Sequence, residues 1–191
     1  MRKLFLLLFL LPLCAVAQKK QITLEDIYKN GTFRGEPVAA DFGQVKTEPD
    51  IKVEDIKDET GKAFDSRTDI IHSANPNIVL LRKGVESIYR RSTKATVYLY
   101  DALSKKLIKL EDEKIMHPTF SPDGSKVAYV KDNNLYVFDI ATKTTKAITT
   151  DGKWNYIING NCDWVYEEEF EFTQAYDWSP KGNYIAYYRF D

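Results

Sequence analysis

The sequence predicts a mostly β domain that follows an N-terminal leader. Short runs of β-branched and aromatic residues, typical of strands, recur from residue 77 to residue 190, and turn-forming residues separate them. Aromatic residues make up 13% of the 191-residue chain, which also favours strands. No long amphipathic helical pattern competes with these runs, and the predicted fold class is therefore mostly β.

The first 17 residues are typical of a secretory signal peptide. A charged start precedes an apolar run at residues 4–15, and small residues lead up to Ala17, after which we expect cleavage. A lipoprotein would instead use Cys14, but Leu13 stands where a small residue is expected. The apolar run is too short to span a membrane, and no later run is apolar enough. We expect a secreted or periplasmic protein of 174 residues without a membrane span.

Charge and cysteine content exclude several classes of protein. With 25 basic against 28 acidic residues after Ala17, the mature chain has no basic excess that would suggest nucleic acid as a partner. Cys162 is the one cysteine of that mature chain, so an intramolecular disulfide is excluded.

Residues 21–29 have the apolar spacing of a short helix, which Asn30-Gly31 ends. Asn30 also begins a glycosylation acceptor sequence, although a helix stop explains the same residues. Residues 36–74 are polar and weakly patterned, and we expect strands and loops there. Five strands are predicted after them, at residues 77–82, 95–102, 125–130, 134–140 and 184–190.

Two segments repeat, and their spacing indicates propeller blades. Residues 97–101 recur at 135–139, an offset of 38, and residues 120–129 recur at 178–187, an offset of 58. Units of about 40 residues with several strands each are characteristic of β-propellers. The difference between the offsets leaves about 20 extra residues near 154–173, and insertions of this kind leave a blade at the rim, where propellers bind their ligands.

The insertion contains the most unusual side chains of the sequence, three consecutive glutamates among aromatic residues. Carboxylates crowded in this way gain from a cation between them, and an ammonium group offers three donors. A solvated acidic loop explains the same residues, and a calcium site is poorly supported because the spacing of a calcium loop is absent. A basic stretch around Arg90 either forms an exposed loop or reaches a carbonyl or carboxylate bound at the insertion.

The chain offers no self-contained catalytic site. It has no Gly-x-Ser-x-Gly nucleophile elbow, no glycine-rich phosphate loop and no cluster of metal ligands, so we expect no cofactor and no metal. His72 and His117 both lie next to turns and are interpreted as ordinary surface or turn residues. Cys162 is interpreted as a small packing residue.

The heptapeptide Asp-Trp-Val-Tyr-Glu-Glu-Glu at residues 163–169 resembles the double-glutamate motif of the dipeptidyl peptidase IV family of secreted serine exopeptidases. Its flanks, SPDGSKVAYVKDNNLYV and SPKGNYIAYYRFD, agree, as does the TLEDIY start. The resemblance covers residues 21–35 and 78–191 and implies an eight-bladed propeller that caps an α/β-hydrolase domain. It also implies that Glu168 and Glu169 hold the α-ammonium of a peptide substrate and that Arg90 binds a substrate carbonyl.

The expected organisation is a signal peptide at 1–17, a helical segment at 18–35 and a partial propeller of three to four blades at 36–191. The hydrolase domain, with its Ser, Asp and His, has no counterpart in the sequence, so we expect no catalytic residue here and no activity from this chain alone. A full-length protein would release X-Pro or X-Ala dipeptides, and a homodimer is compatible with the resemblance. The alternatives are a secreted propeller-type module that binds peptides or proteins without catalysis, and an interaction propeller of the TolB-like kind.

Overall fold

The computed structural model describes residues 23–30, 49 and 51–191, and these form mostly antiparallel β structure. Helix α1 (Leu24–Tyr28) belongs to a different compact part of the chain from residues 45–191. It begins at Thr23, whose hydroxyl accepts the Asp26 N–H while Asp26 accepts the Thr23 N–H, a reciprocal capping box. This confirms the predicted short helix. The predicted signal peptide at 1–17 lies outside the described residues.

Two consecutive four-stranded antiparallel units form the larger part of the fold. Their strands are linked in chain order, and a two-residue pairing at Ala95 and Ile115 joins the two units into one sheet. The first unit contains β1 (Asp69–His72), β2 (Ile78–Ser87), β3 (Thr93–Asp101) and β4 (Lys106–Lys109). The second contains β5 (Ile115–Phe120), β6 (Lys126–Lys131), β7 (Asn134–Asp139) and β8 (Thr144–Ala147).

A third region follows, in which the strands are shorter and a helix interrupts them. The β10–β11 hairpin repeats the first hairpin of the second unit, and β12 pairs back with β9. The elements are β9 (Ile158–Asn159), α2 (Trp164–Phe170), β10 (Tyr176–Trp178), β11 (Ile185–Tyr187) and β12 (Arg189–Phe190). The single strand predicted at 184–190 is wrong, because the chain changes partners at Tyr188 and its two halves enter different sheets.

The core lies in layers between the units, because alternate residues of a strand face opposite sides of its sheet. In β2, Leu80 packs towards the second unit, while Val79 and Leu81 pack against the segment at residues 51–64. In β6, Val127 and Tyr129 face the first unit, and Ala128 and Val130 face the third region. Both faces of the middle sheet are therefore buried, as in stacked propeller blades.

The repeats found in the sequence correspond to equivalent strands. The segments at 97–101 and 135–139 are the third strands of the first and second units. The two Ser-Pro-x-Gly turns also share their hydrogen bonds: the Gly124 N–H donates to the Ser121 carbonyl, and the Gly182 N–H to the Ser179 carbonyl, both at 2.8 Å. Each glycine has a positive φ, which a side chain would oppose. The propeller-type, mostly β prediction is confirmed.

Residues 51–74, which carried little sequence signal, contain a 3-10 helix at Val53–Asp55 and the strand β1. Val53 and Phe64 are buried against the outer face of the first unit, and this segment covers the sheet. No helix in the described ranges is long and apolar enough to cross a membrane.

Candidate functional site

The insertion between the second unit and the β10–β11 hairpin folds as the seven-residue helix α2. Asp163 caps its N-terminus by accepting the Tyr166 N–H at 3.0 Å. Glu171 ends it in the left-handed conformation, with a φ of 54°. The sequence analysis placed a rim insertion here but did not predict a helix.

The helix turns its three consecutive glutamates in three directions, since successive residues are about 100° apart around the axis. The Glu167 side chain points into the protein and is only 1% exposed. The Glu168 side chain is 19% exposed. Glu169 faces solvent and has no hydrogen-bond or ion-pair partner among the described residues. The two outer glutamates are thus accessible to a ligand, and the inner one is not.

Glu167 binds the backbone of the loop between β2 and β3. One carboxylate oxygen, Oε1, accepts the N–H groups of Arg91 and Ser92 at 2.5 and 3.1 Å. Burial alone would raise the pKa of Glu167, but hydrogen bonds from Ser92 and Arg91 and the charge of Arg91 outweigh it, and the net pKa is lowered. Glu167 is therefore an ionised, hydrogen-bonded carboxylate at neutral pH.

The same loop brings two arginines to the helix. Arg90 Nη1 lies 3.1 Å from Glu168 Oε2, and the Arg90 side chain remains 70% exposed. Arg91 donates from Nη1 to the backbone carbonyl of Glu167 at 3.0 Å and from Nη2 to the Glu171 carboxylate at 2.7 Å. Helix α2 and the β2–β3 loop, more than 70 residues apart in sequence, form one hydrogen-bonded unit.

Aromatic side chains of α2 and β12 form a cluster. The ring of Tyr166 lies 4.7 Å from that of Phe190 and 5.7 Å from that of Phe170. The Tyr188 ring stacks near Phe190 at 6.2 Å. Phe170 and Tyr188 are largely exposed, so part of this aromatic cluster is open to solvent.

The base of α2 is attached to the second unit through His117. His117 Nε2 lies 3.0 Å from Asn161 Oδ1, just before the helix, and His117 has a φ of 52° at an irregularity of β5. Burial lowers the pKa of His117. The interpretation of His117 as an ordinary surface or turn residue is wrong, because it is a half-buried strand residue that contacts the helix base. His72 ends β1 and is exposed.

Cys162, directly before the helix cap, is buried. Burial, together with the charges of Asp163 and Glu167, raises the pKa of its thiol to about 12. It packs as predicted. No group of three His, Cys, Asp or Glu side chains suited to a metal ion occurs in the described part of the chain.

The structure brings together two of the three predicted site residues, Arg90 of the β2–β3 loop and Glu168 of α2. The third, Glu169, follows Glu168 on α2. Sequence reasoning missed Glu167 and Arg91. Both stand beside predicted residues, in the Glu-Glu-Glu and Arg-Arg runs, but the sequence contains no signal that tells which member of each run faces inward.

Stacked four-stranded units with an acidic helical insertion define a propeller-type protein. The family model described as "Dipeptidyl peptidase IV (DPP IV) N-terminal region" matches residues 73–191, which include the β2–β3 loop and all of α2. The chain belongs to the dipeptidyl peptidase IV family.

Individual relatives agree. Dipeptidyl aminopeptidase B of Saccharomyces cerevisiae is 37% identical over 123 residues, which are 62% of this chain and 15% of the relative. Prolyl endopeptidase FAP of Mus musculus is 32% identical over 91% of this chain and 25% of its own length. The crystal structure of Porphyromonas gingivalis dipeptidyl peptidase 4 matches with a TM-score of 0.62 and 38% identity, over 68% of this chain and 21% of that one. The chain thus spans a quarter or less of the length of each of these three proteins.

Proposed function

We propose that this chain is the substrate-anchoring part of a dipeptidyl peptidase that releases X-Pro or X-Ala dipeptides from peptide N-termini. In this proposal Glu168 and Glu169 bind the free α-ammonium, and Arg90 binds a backbone carbonyl of the substrate. The observation that carries it is the 3.1 Å approach of Arg90 to Glu168 on a helix that also presents Glu169 to solvent.

The chemistry of the three side chains matches a peptide N-terminus. An ammonium group has three donors and no acceptor, so two carboxylates can share it, while an arginine beside them offers donors to the neighbouring carbonyl. The partly buried position of Glu168 strengthens such a charge pair, because screening by water is reduced. The unpartnered Glu169 has free acceptor capacity for the same cation.

An anchor fixed on the propeller would also determine where the substrate is cut. If the ammonium is held at α2, only a defined length of peptide reaches the catalytic serine, and this gives exopeptidase specificity. We assign the catalytic Ser, Asp and His to a hydrolase domain of the full-length protein. We further propose that residues 1–17 are a cleaved signal peptide, that residues 36–191 are the partial propeller, and that the protein acts outside the cytoplasm.

The test is a peptidase assay on the full-length protein. It should release p-nitroaniline from Ala-Pro-p-nitroanilide but not from the N-acetylated substrate, which has no ammonium. Glu168→Gln should lower kcat/KM for the free-amine substrate by about 30-fold to 1,000-fold, which is the loss of about 2 to 4 kcal/mol expected for a charged partner. Equal cleavage of both substrates would contradict the anchor, and a full-length protein without peptidase activity would leave the non-catalytic binding module as the function.

A further inference from the structure

We propose that Glu167 is a positioning residue that holds Arg90 in place for substrate binding and does not itself bind the ammonium. This inference rests on the proposed function, because it assigns the first of the three consecutive glutamates a separate task. A resemblance to a double-glutamate motif leaves the role of the first glutamate open, and its contacts supply one.

Burial excludes Glu167 from direct contact with a ligand. Its side chain is 1% exposed, and Oε1 already accepts two backbone N–H groups. A carboxylate that receives several N–H groups is stabilised as an anion and needs no further cation. An incoming ammonium would therefore meet Glu168 and Glu169 on the outer faces of the helix, and not Glu167.

The contacts of Glu167 fix the residues that follow Arg90. With the N–H groups of Arg91 and Ser92 held by one oxygen, the loop has little freedom to move relative to α2. Arg91 adds a bond in the opposite direction, from its guanidinium to the Glu167 carbonyl. Arg90, whose own side chain is mostly exposed, then emerges from a fixed backbone at the distance that reaches Glu168.

This role requires a hydrogen-bond acceptor at residue 167 and not a negative charge that faces the ligand. Glutamine keeps an acceptor oxygen on a side chain of the same length, and alanine does not. At residue 168, where the charge itself would bind the ammonium, glutamine should not substitute. Substitution by glutamine is thus expected to have a small effect on kcat/KM at residue 167 and a large effect at residue 168.

The experiment measures kcat/KM of the full-length protein with Ala-Pro-p-nitroanilide. Glu167→Ala should lower it about tenfold or more, whereas Glu167→Gln should lower it by less than about fivefold and Glu168→Gln by at least about 30-fold. Asp112→Asn, which removes a fully exposed carboxylate outside α2 and the β2–β3 loop, controls for general loss of negative charge and should change kcat/KM by less than about twofold.

A double-mutant cycle tests whether Glu167 acts through Arg90. If it does, Glu167→Ala should lower kcat/KM by less than about threefold in the Arg90→Ala background, although it lowers kcat/KM about tenfold in the wild-type background. Full additivity of the two changes would overturn the inference, and so would a loss in Glu167→Gln as large as in Glu168→Gln. Because Glu167→Ala removes a buried partner, its melting temperature is measured alongside. If that variant does not fold, the loss of kcat/KM in Glu167→Gln compared with that in Glu168→Gln decides the question.

The two proposals fail in distinguishable ways. If Glu168→Gln leaves kcat/KM unchanged, the ammonium anchor is wrong whatever Glu167 does. If Glu168→Gln lowers kcat/KM as proposed and Glu167→Gln lowers it equally, the ammonium anchor is supported and Glu167 is a third ligand of the ammonium.

Discussion

The second unit and the third region begin with the same hairpin but use it differently. Residues 120–129 and 178–187 share the Ser-Pro-x-Gly turn, its hydrogen bonds and the strand that follows. Yet β6 lies between β5 and β7 and is buried on both faces, whereas β11 pairs with β10 and is largely exposed. The repeated sequence therefore determines a turn and a strand, while the neighbouring elements determine whether that strand is buried.

We expect the largest difference in stability between substitutions at the equivalent tyrosines of the two hairpins. Tyr129 is 0% exposed, stacks on Tyr136 at 5.6 Å and donates its hydroxyl to Glu111, whereas Tyr187 is 40% exposed. Tyr129→Ala should lower the free energy of unfolding by about 3 to 5 kcal/mol through lost packing. Tyr187→Ala should cost less than about 1 kcal/mol.

Urea unfolding of both variants, with the wild-type chain as reference, measures this contrast. Similar losses in the free energy of unfolding at the two positions would show that the third region is as tightly packed as the second unit, contrary to our expectation.

The contact between the two regions through His117 gives a smaller, pH-dependent effect. Burial lowers the pKa of His117 in the folded chain below its ordinary value of 6.5; the bond to Asn161 and the charge of Glu167 oppose this, and the charge of Arg82 adds to it. The unfolded chain therefore takes up the proton first as the pH falls. Stability from His117 is fully present above pH 6.5 and is lost below it, with a slope of at most about 1.4 kcal/mol per pH unit.

Unfolding free energies at about pH 7.5 and 5.5 test this sign. His117→Asn, which tolerates the positive φ, should reduce the loss of stability between the two pH values. The wild-type chain is the reference, and an equal pH dependence of the two proteins would contradict this effect of His117.

Much of the fold followed from local sequence patterns. The Ser-Pro-x-Gly turns and the β-branched and aromatic runs specify strands and turns through nearby residues alone, so the offsets of 38 and 58 identified equivalent strands. Helix α2 was missed because it has only seven residues and is defined by its caps, Asp163 and Glu171, more than by an apolar pattern. The break at Tyr188 was missed because both halves of the run are equally strand-like and only their partners differ.

The candidate site was predictable as residue types but not as geometry. The glutamates and Arg90 were identifiable from a motif and a charge pattern. The burial of Glu167 was not, because it depends on backbone N–H groups of a loop about 75 residues earlier in the sequence. The sequence does not distinguish three consecutive glutamates, and which of them faces inward is determined only by the packing of the helix against the loop.

Recognition of a peptide N-terminus by α2 is tested most directly by an NMR titration of this chain with Ala-Pro-amide and, separately, with its N-acetylated form. We expect the free amine to shift the backbone amide signals of Glu168, Glu169 and Arg90, the acetylated peptide to leave them unchanged, and Glu168→Gln to abolish the response. Equal shifts with both peptides, or a response confined to residues away from α2 and the β2–β3 loop, would contradict the claim that this helix recognises a peptide N-terminus.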